Sequence, residues 1–460
     1  MDTNENMKLK LSEILSREEI NAVAKKTGFF QRTGKICPFD FLMVLIFRLA
    51  VSYPPALRLM VSLFEKNVSR SGLHQRFTEK AAAFVKCCLQ TIIVKQTMKD
   101  QPVSIKLLAP FNRVLIHDSS GWDVSSQLKE IYTGSGGSAS EANCKLQFCY
   151  DYKTGSIILL EDTKGTEPDQ AFGKKIKNVV QENDLILRDP GYSSYEAFSE
   201  IAQKKAYFCS RFNTASDVWE LINNNYVKVD FEKIFKQRDA NVELNVFLKG
   251  KGKDRYLPIR LAAFRVPREI ANLRRSKLHK NAVKKGRTCS FRNLFLCDWS
   301  MFILNAPEDL IPSKMIRTLY RIRWSVELIF KNWKSILKIH VSSVRKNHYR
   351  IQCELYAKLI LAVMIHTIHQ KVHYYTWTIM KKEISFDSLW KYIIARSESL
   401  HEAIKKSAFA YLNMINSLFT SIIKICEKNH QPSRKTTLQM IDEMIGDIQP
   451  LKITGIRCLT

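Results

Sequence analysis

Residues 113–121 read RVLIHDSSG: an apolar run from Val114 to Ile116 passes through His117 into Asp118, and small turn-forming residues follow. Residues 184–192, DLILRDPGY, repeat the device, with Leu185 to Leu187 leading to Asp189 and then Pro190-Gly191. Short apolar runs bounded by Gly, Ser and Pro are strand signals. Between the two lie a Gly/Ser loop, Thr133 to Ser140, and a predicted hairpin of Lys145 to Tyr152 and Ser156 to Glu161 around Thr154-Gly155. A predicted helix over Asp169 to Gln181 follows. Strand hairpin, then helix, then strand implies a mixed α/β sheet. Asp118 and Asp189 both fall where a strand gives way to a turn, the edge at which functional carboxylates converge. An ordinary turn-capping Asp has the same local signature. The competing acids Asp123, Asp151, Asp162, Asp169 and Asp184 lie in turns or at helix starts, where solvation explains them.

Further along, residues 319–335 read LYRIRWSVELIFKNWKS, with two, three and six residues between Tyr320, Arg323, Glu327 and Lys334. At about 100° per residue these positions fall within an arc of about 60° on one helix. A carboxylate ringed by two cations and a phenol suits a divalent ion and phosphate oxygens. A solvated helix face with an Arg–Glu pair at i,i+4 reads the same way. Together, two strand-end aspartates and a glutamate on a later helix supply the ligands that a pair of Mg²⁺ ions needs for phosphodiester chemistry.

The chain has 460 residues, enough for two to four domains, and its 72 Lys+Arg against 44 Asp+Glu give a net charge of +28. Such a surplus points to a polyanionic partner. The longest apolar stretch, Leu359 to Ile365, is far shorter than the roughly 20 residues of a membrane span. It reads as a buried core helix, and no membrane partner is expected. The 11 cysteines form no CxxC pair and read as reduced thiols.

Helical spacing runs from Phe39 to Val51 and from Ala81 to Val94. Ala56 to Lys66, the turn Asn67-Val68-Ser69 and a helix from Arg70 suggest a helix-turn-helix in which Arg70, Gln75 and Arg76 face DNA. A helical bundle with a basic face explains the pattern equally. Between Asp189 and Glu327 lie 137 positions (327 − 189 − 1), which requires an inserted domain. Tyr226 to Phe231, Asn241 to Leu248 and Leu257 to Phe264 alternate as strands do. Arg265 to Arg292 then carries ten cations against Glu269, either a phosphate-hugging segment or a disordered basic loop. Gly250-Lys251-Gly252-Lys253 lacks the phosphate-loop pattern, and His366, His369 and His373 find no further ligand at metal-site spacing. The last ninety residues carry apolar positions at Leu412, Ile415, Leu418 and Ile422, a packing or dimerisation stripe.

The spacing of Tyr320, Arg323, Glu327 and Lys334, together with Asp189-Pro190-Gly191-Tyr192, resembles the DDE transposases of bacterial insertion sequences that carry the YREK signature, the IS-four family. The resemblance implies a ribonuclease H-like catalytic core interrupted by a β-rich insertion, with helical regions at both ends. It implies a metal-binding catalytic triad of Asp118, Asp189 and Glu327, with Mg²⁺ in two sites and Mn²⁺ able to substitute. Tyr320, Arg323 and Lys334 would hold DNA phosphates, and Trp299 would stack on a base flipped from a DNA hairpin. The expected layout is a helical DNA-binding region over 1–105, core over 106–212, insertion over 213–292, core with the YREK helix over 293–370, and a helical region over 371–460. The expected activity is cleavage at the element's terminal repeats and joining of the 3′-hydroxyl ends to target DNA, by a homodimer formed on double-stranded DNA in a bacterial cytoplasm. A repurposed DNA-binding protein without cleavage, and a general nuclease of the same core, are the alternatives.

Overall fold

The computed structural model describes residues 16–428 except 33, 52–56, 65, 98–105, 138, 170–173, 237–240, 253–254, 343, 345–346, 381 and 407. Contacts gather the chain into two units: residues 1–103, 119–167 and 326–430 in one, residues 104–118, 168–325 and 431–460 in the other.

The first unit is built on helices α1 (Arg17–Lys26), α2 (Pro38–Val51), α3 (Leu57–Val61), α4 (Arg70–Gln75) and α5 (Glu79–Thr97). It also holds the latter half of strand β1 (Val114–Asp123) and the hairpin β2 (Asn143–Asp151) and β3 (Ile157–Lys164), in the order β3-β2-β1. The hairpin turns at Gly155, whose φ is +74°. That left-handed backbone favours glycine, and a Cβ there would also have to displace the Gln370 side chain, whose Cγ would lie at 2.0 Å.

That central helix spans His348–Tyr375, capped by Asn347, whose side chain accepts from Arg350 N at 3.0 Å. It is apolar around its whole circumference, as a helix enclosed by protein must be. By length and hydropathy it would cross a membrane, yet 89% of its most apolar window is buried against the unit, chiefly by α5 and α2. Its few charges are satisfied in place. Glu354 accepts from Arg350 Nε at 2.8 Å, and Lys358 Nζ donates to the carbonyls of Lys338 and Val341 at 2.9 Å each. Burial pushes the Lys358 ammonium down to about 8. His366 Nε2 donates to the Gly155 carbonyl at 2.8 Å and His369 Nε2 to the Ile384 carbonyl at 3.1 Å, so these two histidines are part of the core, with His373 half-buried beyond them. Three C-terminal helices, Phe386–Ile394, Ser397–Lys406 and Ala408–Cys426, complete the unit, and the second packs on α2. On the last of them Ile422 is fully buried, so it serves intramolecular packing; the side chains of Leu412 and Ile415 lie outside the described residues.

In the second unit β1, β4 (Leu185–Arg188) and β5 (Tyr207–Arg211) run parallel. Helix α6 (Tyr195–Gln203), N-capped by Ser194, covers β5. The segment predicted as a helix from Asp169 to Gln181 is, where described beyond Asp169, a 3-10 stretch at Lys174–Asn178. The predicted insertion does not form a sheet of its own. Strands β6 (Trp219–Ile222), β7 (Asn225–Lys228), β8 (Val242–Lys249), β9 (Tyr256–Arg265) and β10 (Trp299–Leu304) continue the same sheet in the order β1-β4-β5-β10-β9-β8-β6-β7. β10 joins them by pairing antiparallel to β5 on one side and β9 on the other. The strand predicted to end at Phe231 stops at Lys228, because Phe231 opens helix α7 (Phe231–Lys236) and buries its ring.

Candidate active site

The register of β1 and β4 brings the two aspartates together. His117 pairs with Arg188 as the last parallel partners, so Asp118 and Asp189 are the residues that follow next on the two segments, at the carboxyl end of the pair. Asp118 is not at a strand end as predicted, since β1 runs on to Asp123. It lies where the parallel pairing ends. Asp189 keeps the turn-capping role as well: its Oδ1 accepts from Gly191 N at 3.0 Å. Beneath them His117 and Arg188 are fully buried, and the His117 ring packs on Tyr192 at 4.3 Å.

The segment 319–335 is not one helix. The helix Ile316–Arg321, in the second unit, ends in a tight turn at Ile322–Arg323, and a new helix begins at Trp324 and runs to Ser335. In that turn Ile322 N bonds Leu319 O and Arg323 N bonds Tyr320 O, the i→i−3 pattern of a tightened helix end. The four signature residues therefore do not share one helix face. Arg323, 6% exposed, donates from Nη1 to Asp118 Oδ2 at 3.1 Å. Tyr320 is buried against Phe302, and its hydroxyl donates to the Arg188 carbonyl at 3.1 Å, beside Asp189. Burial raises the Tyr320 phenol well above its ordinary value, so it stays a neutral donor. The expected phosphate contacts of Tyr320 and Arg323 thus meet residues already engaged, one with the aspartate and one with the strand that carries the other.

Glu327 and Lys334 belong to the first unit, seven residues apart on the helix Trp324–Ser335 and so on one side of it. Glu327 is half-buried. Lys334 Nζ donates to the Gly121 carbonyl at 3.0 Å, and burial lowers its pKa. Trp324 and Leu328, one turn apart, are 60% and 57% exposed. The sequence reading passed over this apolar ridge; the i,i+4 spacing of two large apolar residues was its only signal. An exposed indole is a surface on which a base can stack.

Two further expectations meet different surroundings. Trp299 is buried and its ring lies 4.5 Å from Phe235, the packing of a core residue. Stacking on a base would require it to leave that contact. Trp299→Ala is expected to cost about 3–5 kcal/mol of stability. Thermal melting checks this, and an unaltered melt with selective loss of a hairpin step would return Trp299 to the stacking role. In the N-terminal region Ser69 caps α4 as predicted, its Oγ accepting from Gly72 N at 3.0 Å. α4 is only six residues long, however, and residues 62–69 separate it from α3, so the pair lacks the short turn and long second helix of a helix-turn-helix. Gln75 and Arg76 instead line a depression of about 440 Å³ with Arg32 and Lys80, while Arg70 stands exposed at the start of α4.

Asp169, set aside on sequence grounds, is near Asp189. A Cβ placed at Gly191 would lie 3.5 Å from Asp189 Oδ1 and 3.9 Å from Asp169 Oδ2. Among the described residues no three His, Cys, Asp or Glu side chains are grouped tightly enough to hold a metal ion. Two adjacent carboxylates, one of them tied to a guanidinium, fit a divalent cation once Arg323 shares or releases Asp118.

The two acids follow a parallel strand pair inside a mixed α/β sheet, at the carboxyl end where open sheets hold their ligands. The chain belongs to the transposase DDE domain family, whose sequence profile matches residues 109–364, and it is a DDE transposase. Membership carries a general dependence on a divalent metal ion. The chain is similar to the transposase for insertion sequence element IS231B of Bacillus thuringiensis subsp. berliner, 27% identical over 442 residues and 92% of each chain. It is also similar to the transposase for insertion sequence element IS1151 of Clostridium perfringens, 27% identical over 95% of this chain and 97% of the relative. Among solved structures, the cryo-EM structure of a piggyBac transposase synaptic complex with hairpin DNA matches 98% of this chain and 84% of that chain at a TM-score of 0.42 and 10% identity.

Proposed function

We propose that the chain cuts DNA at the ends of a bacterial insertion sequence and joins the freed 3′-hydroxyls to target DNA, using Asp118, Asp189 and Glu327. The observation that carries this is the β1–β4 register, which sets Asp118 beside Asp189. The strand order β3-β2-β1-β4-β5, an antiparallel hairpin followed by parallel strands, supports a ribonuclease H-like core. Glu327 enters on the signature spacing, four residues beyond Arg323. The three acids would hold two Mg²⁺ ions, which when bound supply activation of the attacking oxygen and charge stabilisation at the leaving oxygen.

The protein's own part is orientation. Arg323 holds the Asp118 carboxylate and offsets its charge against Asp189. Tyr320 pins the carbonyl of Arg188 and with it the backbone of Asp189. Lys334 supplies a cation that can turn from the Gly121 carbonyl to a phosphate. Arg70, Gln75 and Arg76 would contact DNA outside the cleavage site, with neither arginine in an ion pair among the described residues. Two DNA ends must be held for joining, so a homodimer on DNA is the working assembly, with Ile422 excluded from its interface by burial.

The test is a nicking assay on a plasmid that carries the DNA flanking the gene. Nicks at the repeat ends are expected with Mg²⁺ and none in EDTA. DNA binding without any nick in Mg²⁺ or Mn²⁺ would favour the non-enzymatic reading, and nicks scattered without preference would favour a general nuclease.

A further inference from the structure

The basic segment that the sequence left open between a DNA contact and a disordered loop holds a 17-residue helix, Arg268–Lys284, in the second unit. Its two faces divide the charges. One is tied down: Arg274 Nη1 donates to the Trp299 carbonyl at 3.0 Å and Arg274 Nη2 to Ser300 Oγ at 2.8 Å. Arg275 pairs with Asp298 at 2.6 Å, and Ala271 is fully buried between them. Those residues sit at i, i+3 and i+4, the seam of a helix packed on a support. They fasten it to the start of β10.

The opposite face is left to solvent. Lys277, Lys280 and Lys284 are exposed and fall within about 60° of one another around the axis. They span about 10 Å of rise, the length of roughly three phosphates along one DNA strand. None forms an ion pair among the described residues, and the helix carries a single acid, Glu269, in its first turn. Lysine offers a mobile point charge and no bidentate fork, so it neutralises phosphate without reading bases.

We infer that this lysine face binds the phosphate backbone of a DNA duplex irrespective of sequence, as a second contact surface apart from the acids. The inference rests on the transposase reading above. The rigid mounting through Arg274 and Arg275 is what distinguishes it from a loose basic tail: the face is presented in a fixed orientation and loses little entropy on binding. Leu273, 67% exposed, lies along the same face and Val283, 78% exposed, flanks it, and a protein partner is therefore the competing occupant that the test must separate.

The test is fluorescence anisotropy of the full chain on a random-sequence duplex across a salt series. The plot of log affinity against log salt is expected to flatten by about 2–3 in the Lys277→Ala/Lys280→Ala/Lys284→Ala variant, from about 0.9 per phosphate lost. Arginine at the same three positions is expected to restore the slope. Alanine at Lys177, Lys205 and Lys236, each already paired with a glutamate, is expected to leave it unchanged. An unchanged slope in the triple variant, with a wild-type melting curve, overturns the inference. So does a fall in molecular mass by light scattering in Leu273→Ser/Val283→Ser with no slope change in the lysine variant, which would mark a protein interface. A wild-type chain that binds no duplex at any salt would instead defeat the transposase reading itself.

Discussion

Asp118→Asn, Asp189→Asn and Glu327→Gln should each lower strand cleavage by on the order of 10³-fold while leaving binding to terminal DNA nearly intact. Losing one oxygen ligand removes several kcal/mol of transition-state charge stabilisation, and each 1.4 kcal/mol is about tenfold in rate. Binding is spared because phosphate contacts come from cations rather than from these acids. The measurement is single-turnover nicking at saturating protein, paired with gel-shift affinity. Arg323→Ala provides an internal comparison. It leaves Asp118 without its 3.1 Å partner, so both chemistry and metal requirement should change, with a higher Mg²⁺ concentration or a different pH needed for half-maximal nicking. A fully active variant at any one of the three acids would remove that residue from the site.

The second large effect concerns acid stability. Burial pushes His366 and His369 down to about 3 and His373 down to about 4, with neighbouring imidazoles adding to the shift in the first two. Because the folded values lie below the unfolded value of about 6.5, the unfolded chain takes up protons that the folded core refuses. Stability is therefore fully present above about pH 6.5 and is lost as the pH falls toward 3–4. Each imidazole contributes at most about 1.4 kcal/mol per pH unit, so three give a fall of up to about 4 kcal/mol per unit. Denaturant midpoints taken at successive pH values between 7.5 and 5 should shift downward together, and a flat profile over that interval would contradict the buried, neutral assignment. His373→Gln, which cannot titrate, should make the profile about one-third shallower.

What proved legible in the sequence is local. The strand that runs into Asp189, the hairpin turning at Gly155 and the cap at Ser69 appear where short-range rules put them, whereas the strand that carries Asp118 runs on to Asp123. Each depends on residues within a few positions, where alternation, glycine conformation and side-chain capping act. The stretch 319–335 shows where such rules stop. Helical periodicity continues through Ile322–Arg323, yet the backbone breaks there, and Arg323 turns to Asp118, 205 residues earlier in the chain. A local pattern has no means of registering a partner so distant.

Trp299 and the basic segment make the same point from opposite sides. Composition could not tell an aromatic stacking residue from a core one; only the structure shows that the indole packs on Phe235. Ten cations in a run read as a phosphate-hugging segment or a loop, and six of them lie on a helix that Arg274 and Arg275 mount on the β10 end. Residue types and spacings by themselves determined that this chain carries aspartates after two apolar strand segments, a YREK array and a polycationic character. Only the tertiary structure decided that Asp118 and Asp189 stand side by side, because that depends on the parallel register of two strands about seventy residues apart, and register is set by long-range pairing and burial rather than by any local propensity.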